Sequence, residues 1–136
     1  MNVPKGFPGF EQKTILIVMD HNHGKAFQGL DRELTFVEDL ETSDTQYEYS
    51  DHEGQTDQHN KEHYNRVFQN YILDKINQYE ADQMFDALVI FCPSDIKGLV
   101  ESKNPKHIML KTQLFHGNYM KQSTDDLIKV MHPGLA

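Results

Sequence analysis

KTILIVMD (residues 13–20) is an apolar run dominated by aliphatic residues, of strand length and too short for an ordinary helix. A run without polar alternation belongs to a strand buried on both faces, at the centre of a sheet. HNHG (residues 21–24) follows, and Asn and Gly tolerate positive φ, so the chain turns tightly there. KAFQG (residues 25–29) then reads as the return strand and ELTFVE (residues 33–38) as a third, which makes a meander. A second apolar run, ALVIFC (residues 87–92), marks another buried strand.

Between the two runs lies the clearest helix. Tyr64, Val67, Phe68, Tyr71, Ile72, Ile76 and Tyr79 recur at helical spacing and predict a helix over residues 61–79. PSD (residues 93–95) ends the second buried strand and can cap a short helix over residues 96–101. KHIMLKTQLFH (residues 106–116) reads as a late strand. Ser123 or Thr124 can cap a last helix over residues 125–131, with Asp125 and Asp126 in its first turn. The order predicts an α/β fold in one domain: a mixed sheet of about five strands, with a long helix and two shorter helices packed on it. Residues 1–12, broken by Pro4, Gly6, Pro8 and Gly9, read as an extended lead-in to a domain over residues 13–136.

Composition bounds the chemistry. The chain has 136 residues, enough for one sizeable core. Cys92 is its only cysteine, which excludes an intramolecular disulfide. It also excludes zinc sites built on four cysteines, or on two cysteines and two histidines, within one chain. No apolar run approaches the roughly 20 residues of a membrane span, and the first residues show no apolar signal-peptide core. A cytoplasmic protein without membrane contact is the expectation. Net charge is −8, which disfavours generic binding to DNA or any other polyanion. The charge is uneven. Residues 31–62 hold eleven acids against Arg32 and Lys61, whereas residues 97–136 hold six lysines against three acids. Nucleic-acid contacts therefore fall to Arg66, Lys97, Lys103 and Lys106, on the long helix and in the last third.

Residues 41–60 are polar, acidic and nearly free of aliphatic side chains, a flexible loop of a length that compact domains keep for function. The loop contains Glu53-Gly54-Gln55, one residue from Gly-Gly-Gln. It runs into His59-Asn60-Lys61-Glu62-His63, an H-x-x-E-H spelling. On a helix His59 and His63 share a face and can bind one zinc with Glu62 as base. They lie off the apolar stripe, however, so two solvated histidines are the plainer reading, and no resident metal or other cofactor is expected. His21-Asn22-His23 is contiguous in a turn, unlike the dispersed letters of an HNH nuclease. Asp20 and Asp95 follow the two buried strands and are the only carboxylates able to converge as in a two-magnesium nuclease. Asp86 lies at the opposite strand end. Cys92, with His116 or His132 as partner, is a nucleophile by residue type, and a buried structural thiol by context.

The element order, with KTILIVMDHNHGKAF, LTFVEDLE, the polar loop, the long helix, ALVIFCPSDIKGLV and HIMLKTQLFHGNY, resembles bacterial host-attachment proteins over residues 14–131. That family is in turn similar to the middle domain of archaeal and eukaryotic class-one release factors, where a Gly-Gly-Gln loop precedes a long helix. The resemblance implies a ribonuclease-H-like sheet and a small binding protein whose partner is a ribosome, a tRNA or a protein surface. It implies, as an alternative, an esterase on peptidyl-tRNA with Gly54 and Gln55 at its tip. Gly54 allows close backbone approach and Gln55 can position water. Glu53 departs from the family pattern by adding a side chain and a charge. The metal-dependent hydrolase at His59 and His63 is the third reading.

Overall fold

Two segments far apart in the chain form the middle of a five-stranded sheet. The computed structural model describes residues 1–41 and 58–135, with residues 58–64 described by backbone alone. The strands are β1 (Phe10–Met19), β2 (Gly24–Asp31), β3 (Glu33–Leu40), β4 (Ala87–Cys92) and β5 (Thr112–His116). The helices are α1 (Gln58–Ala81), α2 (Ser94–Lys103), α3 (Lys106–Met109) and α4 (Thr124–Met131). Sheet order is β3-β2-β1-β4-β5. β1 pairs antiparallel with β2, and β2 with β3. β1 pairs parallel with β4, from Thr14↔Ala87 to Val18↔Phe91, and β4 parallel with β5. The fold is thus α/β with a mixed sheet, as the apolar runs predict.

Both faces of β1 are covered, which is why its sequence lacks alternation. Ile15, Ile17 and Met19 meet Phe68, Ile72 and Ile76 of α1, together with Ile96 and Val100 of α2. Leu16 and Val18 meet Leu127 and Ile128 of α4 on the other face, together with Val3, Phe7 and Phe10. The first residues are therefore part of the domain's core. Arg32 holds them by donating to the carbonyls of Phe7 (2.8 Å), Val3 (3.2 Å) and Pro4 (3.1 Å). Gly29 leaves the Phe10 ring its place, since a Cβ there would lie 2.5 Å from the ring. The aromatic positions escape a reading by period because Pro and Gly interrupt them.

The late strand is shorter than the sequence suggests. Residues 106–109 form α3 and only Thr112–His116 is strand. Pro105 precedes this helix with φ −57°, close to helical φ, and the buried Ile108 fastens the turn to the core. Among the described residues α1 is accompanied by the two expected shorter helices, α2 and α4, and by the four-residue α3.

β3 changes faces midway. Ala26 pairs with Glu38 but Phe27 pairs with Phe36, so Val37 is an extra residue. This bulge turns Glu38 and Leu40 from the face of Leu34 to the face of α1. Lys75 donates to both Glu38 oxygens at 3.1 and 3.2 Å, and the Tyr79 hydroxyl donates to the same carboxylate. Partial burial alone would raise the Glu38 pKa. The hydrogen bonds from Tyr79 and Lys75, with the Lys75 charge, outweigh burial and hold it below its ordinary value. Burial, then the Glu38 bond and charge, push the Tyr79 phenol far up, so it stays a donor.

A carboxyl whose folded pKa is depressed stabilises fully above its unfolded value and loses that contribution as pH falls through the folded one. The urea midpoint should therefore drop on going from about pH 6 to about pH 3. The drop should be shallower in Tyr79→Phe, where one cause of the depression is gone. Parallel midpoint curves for the two proteins would refute this role of Glu38.

Candidate functional site at the carboxyl edge of the parallel strands

β1 and β4 run parallel, so the residues following each emerge at the same sheet edge. The turn after β1 is fixed by Asp20, whose Oδ1 accepts from the backbone N–H groups of Asn22 (2.9 Å) and His23 (2.7 Å). Asp20 is thereby committed to its turn. The turn sends its two histidines to different partners. His23 Nε2 lies 3.7 Å from Glu41, just beyond β3. His21 Nε2 reaches Asp95 in the first turn of α2, 2.8 and 3.0 Å from its two oxygens. Pro93, without a capping side chain, is the N-cap of α2, and the Asp95 carboxylate bonds to His21.

α1 completes the site. Asn65, Arg66 and Gln69 line a cleft of about 280 Å³ together with His21 and Asp95. Positions 65 and 69 are one turn apart, so both carboxamides border the same opening, with the Arg66 guanidinium between them in sequence. The cleft thus combines a carboxylate-held imidazole, a guanidinium and two amides. Such a set can bind an anionic group, and the imidazole can move a proton. Both members of the His21–Asp95 pair are substantially exposed, so the pair contributes little to stability.

The expected RNA-binding residues divide between two ends of the sheet. Arg66 and Lys97, near the start of α2, lie at the carboxyl edge. Lys103 ends α2, about 9 Å along the helix from Lys97, and Lys106 opens α3. These four do not make one patch. Gly54 and Gln55 lie outside the described residues. So do the side chains of His59, Glu62 and His63, whose backbone belongs to the first two turns of α1. Among the described residues no group of three His, Cys, Asp or Glu is placed to hold a metal ion. Asp95 engages His21 rather than converging with Asp20.

Cys92 and His116 are register partners across β4 and β5, yet no hydrogen bond joins them among the described residues. Burial, then the Asp95 charge, push the Cys92 thiol up to about 11. It is a buried core residue, as its context suggests. The reading of separate motifs missed the union of His21 with Asp95. The available signal was that each follows a doubly buried strand, and parallel neighbours deliver such residues to one edge.

No family model matches the chain, and no curated protein matches it. No helix among the described residues is long and apolar enough to cross a membrane.

Cys92 is the only thiol, so its reaction with a chromogenic disulfide reports burial directly. In the native chain at neutral pH it should react at least about a hundredfold more slowly than in urea-unfolded chain. Comparable rates would show the thiol to be accessible.

Proposed function

We infer that the chain is a small intracellular binding module of the host-attachment type, akin to the release-factor middle domain. It docks by the carboxyl edge of its sheet on a ribosome- or tRNA-borne RNA surface. The observation that supports this reading is the placement of Arg66 beside His21 and Asp95 at the edge where β3 ends. The chain segment carrying Gly54 and Gln55 joins β3 to α1, and both flanks belong to that edge. Arg66 and Lys97 supply its cations. Ligand sites of open α/β sheets concentrate outside the carboxyl ends of parallel strands.

Co-sedimentation with ribosomes and filter binding of tRNA test the reading. Arg66→Ala should weaken binding about tenfold, and Lys97→Ala about threefold, at moderate salt. The double variant Lys103→Ala with Lys106→Ala, at the opposite end, should bind as wild type does. Retention unaffected by Arg66→Ala, or lost with the distal lysines instead, would remove the carboxyl edge as the docking surface.

The His21–Asp95 pair favours a second reading, hydrolysis of the peptidyl-tRNA ester. An imidazole oriented by a carboxylate is a general base, and water placed by Gln55 is its natural partner. Release of the peptidyl group from tRNA should then fall at least about a hundredfold in His21→Ala and in Gln55→Ala. Release that stays at background in wild type would leave binding alone.

A further inference from the structure

We propose that the cleft formed by the β1–β2 turn, α1 and the start of α2 is a binding site for a phosphate monoester, of the kind that ends a nucleoside 5′-monophosphate. Four observations converge on this ligand chemistry. The first is the donor set. Arg66 offers a planar fork that matches two phosphate oxygens at once, and Asn65 and Gln69 add amide donors from the same helix. The second is the state of the one carboxylate among the described lining residues. Both Asp95 oxygens lie within hydrogen-bond distance of His21 Nε2, at 2.8 and 3.0 Å, so this carboxylate already has a hydrogen-bond partner within the protein. With Nε2 turned to Asp95, Nδ1 is the ring nitrogen left to face a ligand.

The third observation is size. A cleft of about 280 Å³ accepts a phosphate with its sugar. The fourth is the charge of the whole chain. At −8, with eleven acids over residues 31–62, the chain favours a ligand held by a few close bonds over one held by many separate phosphate contacts. A terminal phosphate concentrates two negative charges in one place and meets all its donors there. Short-range, directional bonds then outweigh the long-range repulsion, which salt screens over about 10 Å.

The inference uses the same cleft as the docking surface proposed above but stands without it. Binding of a mononucleotide with no binding of tRNA or ribosomes would keep the site and remove the docking surface. The test is a titration of the isotope-labelled full chain, followed by NMR, with inorganic phosphate, adenosine 5′-monophosphate and adenosine. The phosphate compounds should shift the His21 imidazole and Arg66 guanidinium signals, and adenosine should not. Arg66→Ala and His21→Ala should each weaken binding of adenosine 5′-monophosphate about tenfold or more, and Arg66→Lys severalfold. Both positions are at the surface, and unchanged core resonances verify the fold.

A short RNA made with either a 5′-phosphate or a 5′-hydroxyl separates the sources of the phosphate. Tighter binding of the 5′-phosphorylated RNA than of the mononucleotide identifies an RNA end as the ligand. Equal binding identifies the free nucleotide. The proposal is overturned if phosphate and adenosine 5′-monophosphate leave the His21 and Arg66 signals unmoved. It is overturned equally if Arg66→Ala binds the nucleotide as tightly as wild type, or if the 5′-hydroxyl RNA binds as well as its phosphorylated form.

Discussion

The parallel pairing of β1 with β4 is the constraint on which the rest of the molecule depends. Five register pairs, from Thr14↔Ala87 to Val18↔Phe91, join segments about seventy residues apart. Parallel strands need a crossover, and α1 supplies it, which places its apolar stripe over one sheet face. The opposite face is then left for the chain's two ends, Val3 to Phe10 from one side and α4 from the other. The same pairing decides the chemistry, because it brings the residues after both strands to a common edge. His21 and Asp95 meet for no local reason. They meet because two runs of aliphatic residues are buried in register.

Two features of the fold were legible because a simple pattern carries them, the buried runs of β1 and β4 and the helical stripe of α1. The turn after β1 was legible in place, but it is fixed by Asp20, with no positive φ at Asn22 or Gly24. Ser123 accepting from the Asp126 N–H likewise confirms one of the two expected caps of α4. Other features rest on single residues that a period cannot carry. One extra residue at Val37 reverses the faces of Glu38 and Leu40, whereas a strand read by alternation keeps them with Leu34. The stretch after Lys106, with Ile108, Met109 and Leu110 followed by Leu114 and Phe115, reads as one strand and hides the helix that Pro105 precedes. Phe7 and Phe10 show no spacing rule because glycine and proline set the path between them.

The site was legible in part. Arg66 stands out as a cation in a basic-poor stretch, and its place on a helix follows from the stripe around it. His21 and Asp95 are each visible as polar residues after a buried strand, but as separate motifs they suggest nuclease or metal chemistry. Only sheet order turns them into a pair. The four cations grouped by sequence fall into two groups in space because α2 is long enough to carry Lys103 to the other end of the sheet. Charge counts along a chain therefore locate a surface only after the elements have been oriented.

The first residues have one more effect, which concerns other copies of the chain. The Leu34 N–H donates to the Met1 carbonyl at 2.7 Å, the Val3 N–H to that of Arg32 at 2.8 Å, and Asn2 bridges Glu33. A few residues thus act as a partial sixth strand on the outer side of β3, which is otherwise an edge strand among the described residues. Beyond them that edge carries the exposed Asp39, and Phe36 is 45% exposed against Phe27. Edge strands of this kind invite pairing with a neighbouring molecule unless they are covered or charged. Here the start of β3 is covered by the chain's own beginning and its end is charged. The same contacts that complete the core also occupy backbone groups on the outer side of the sheet at the start of β3.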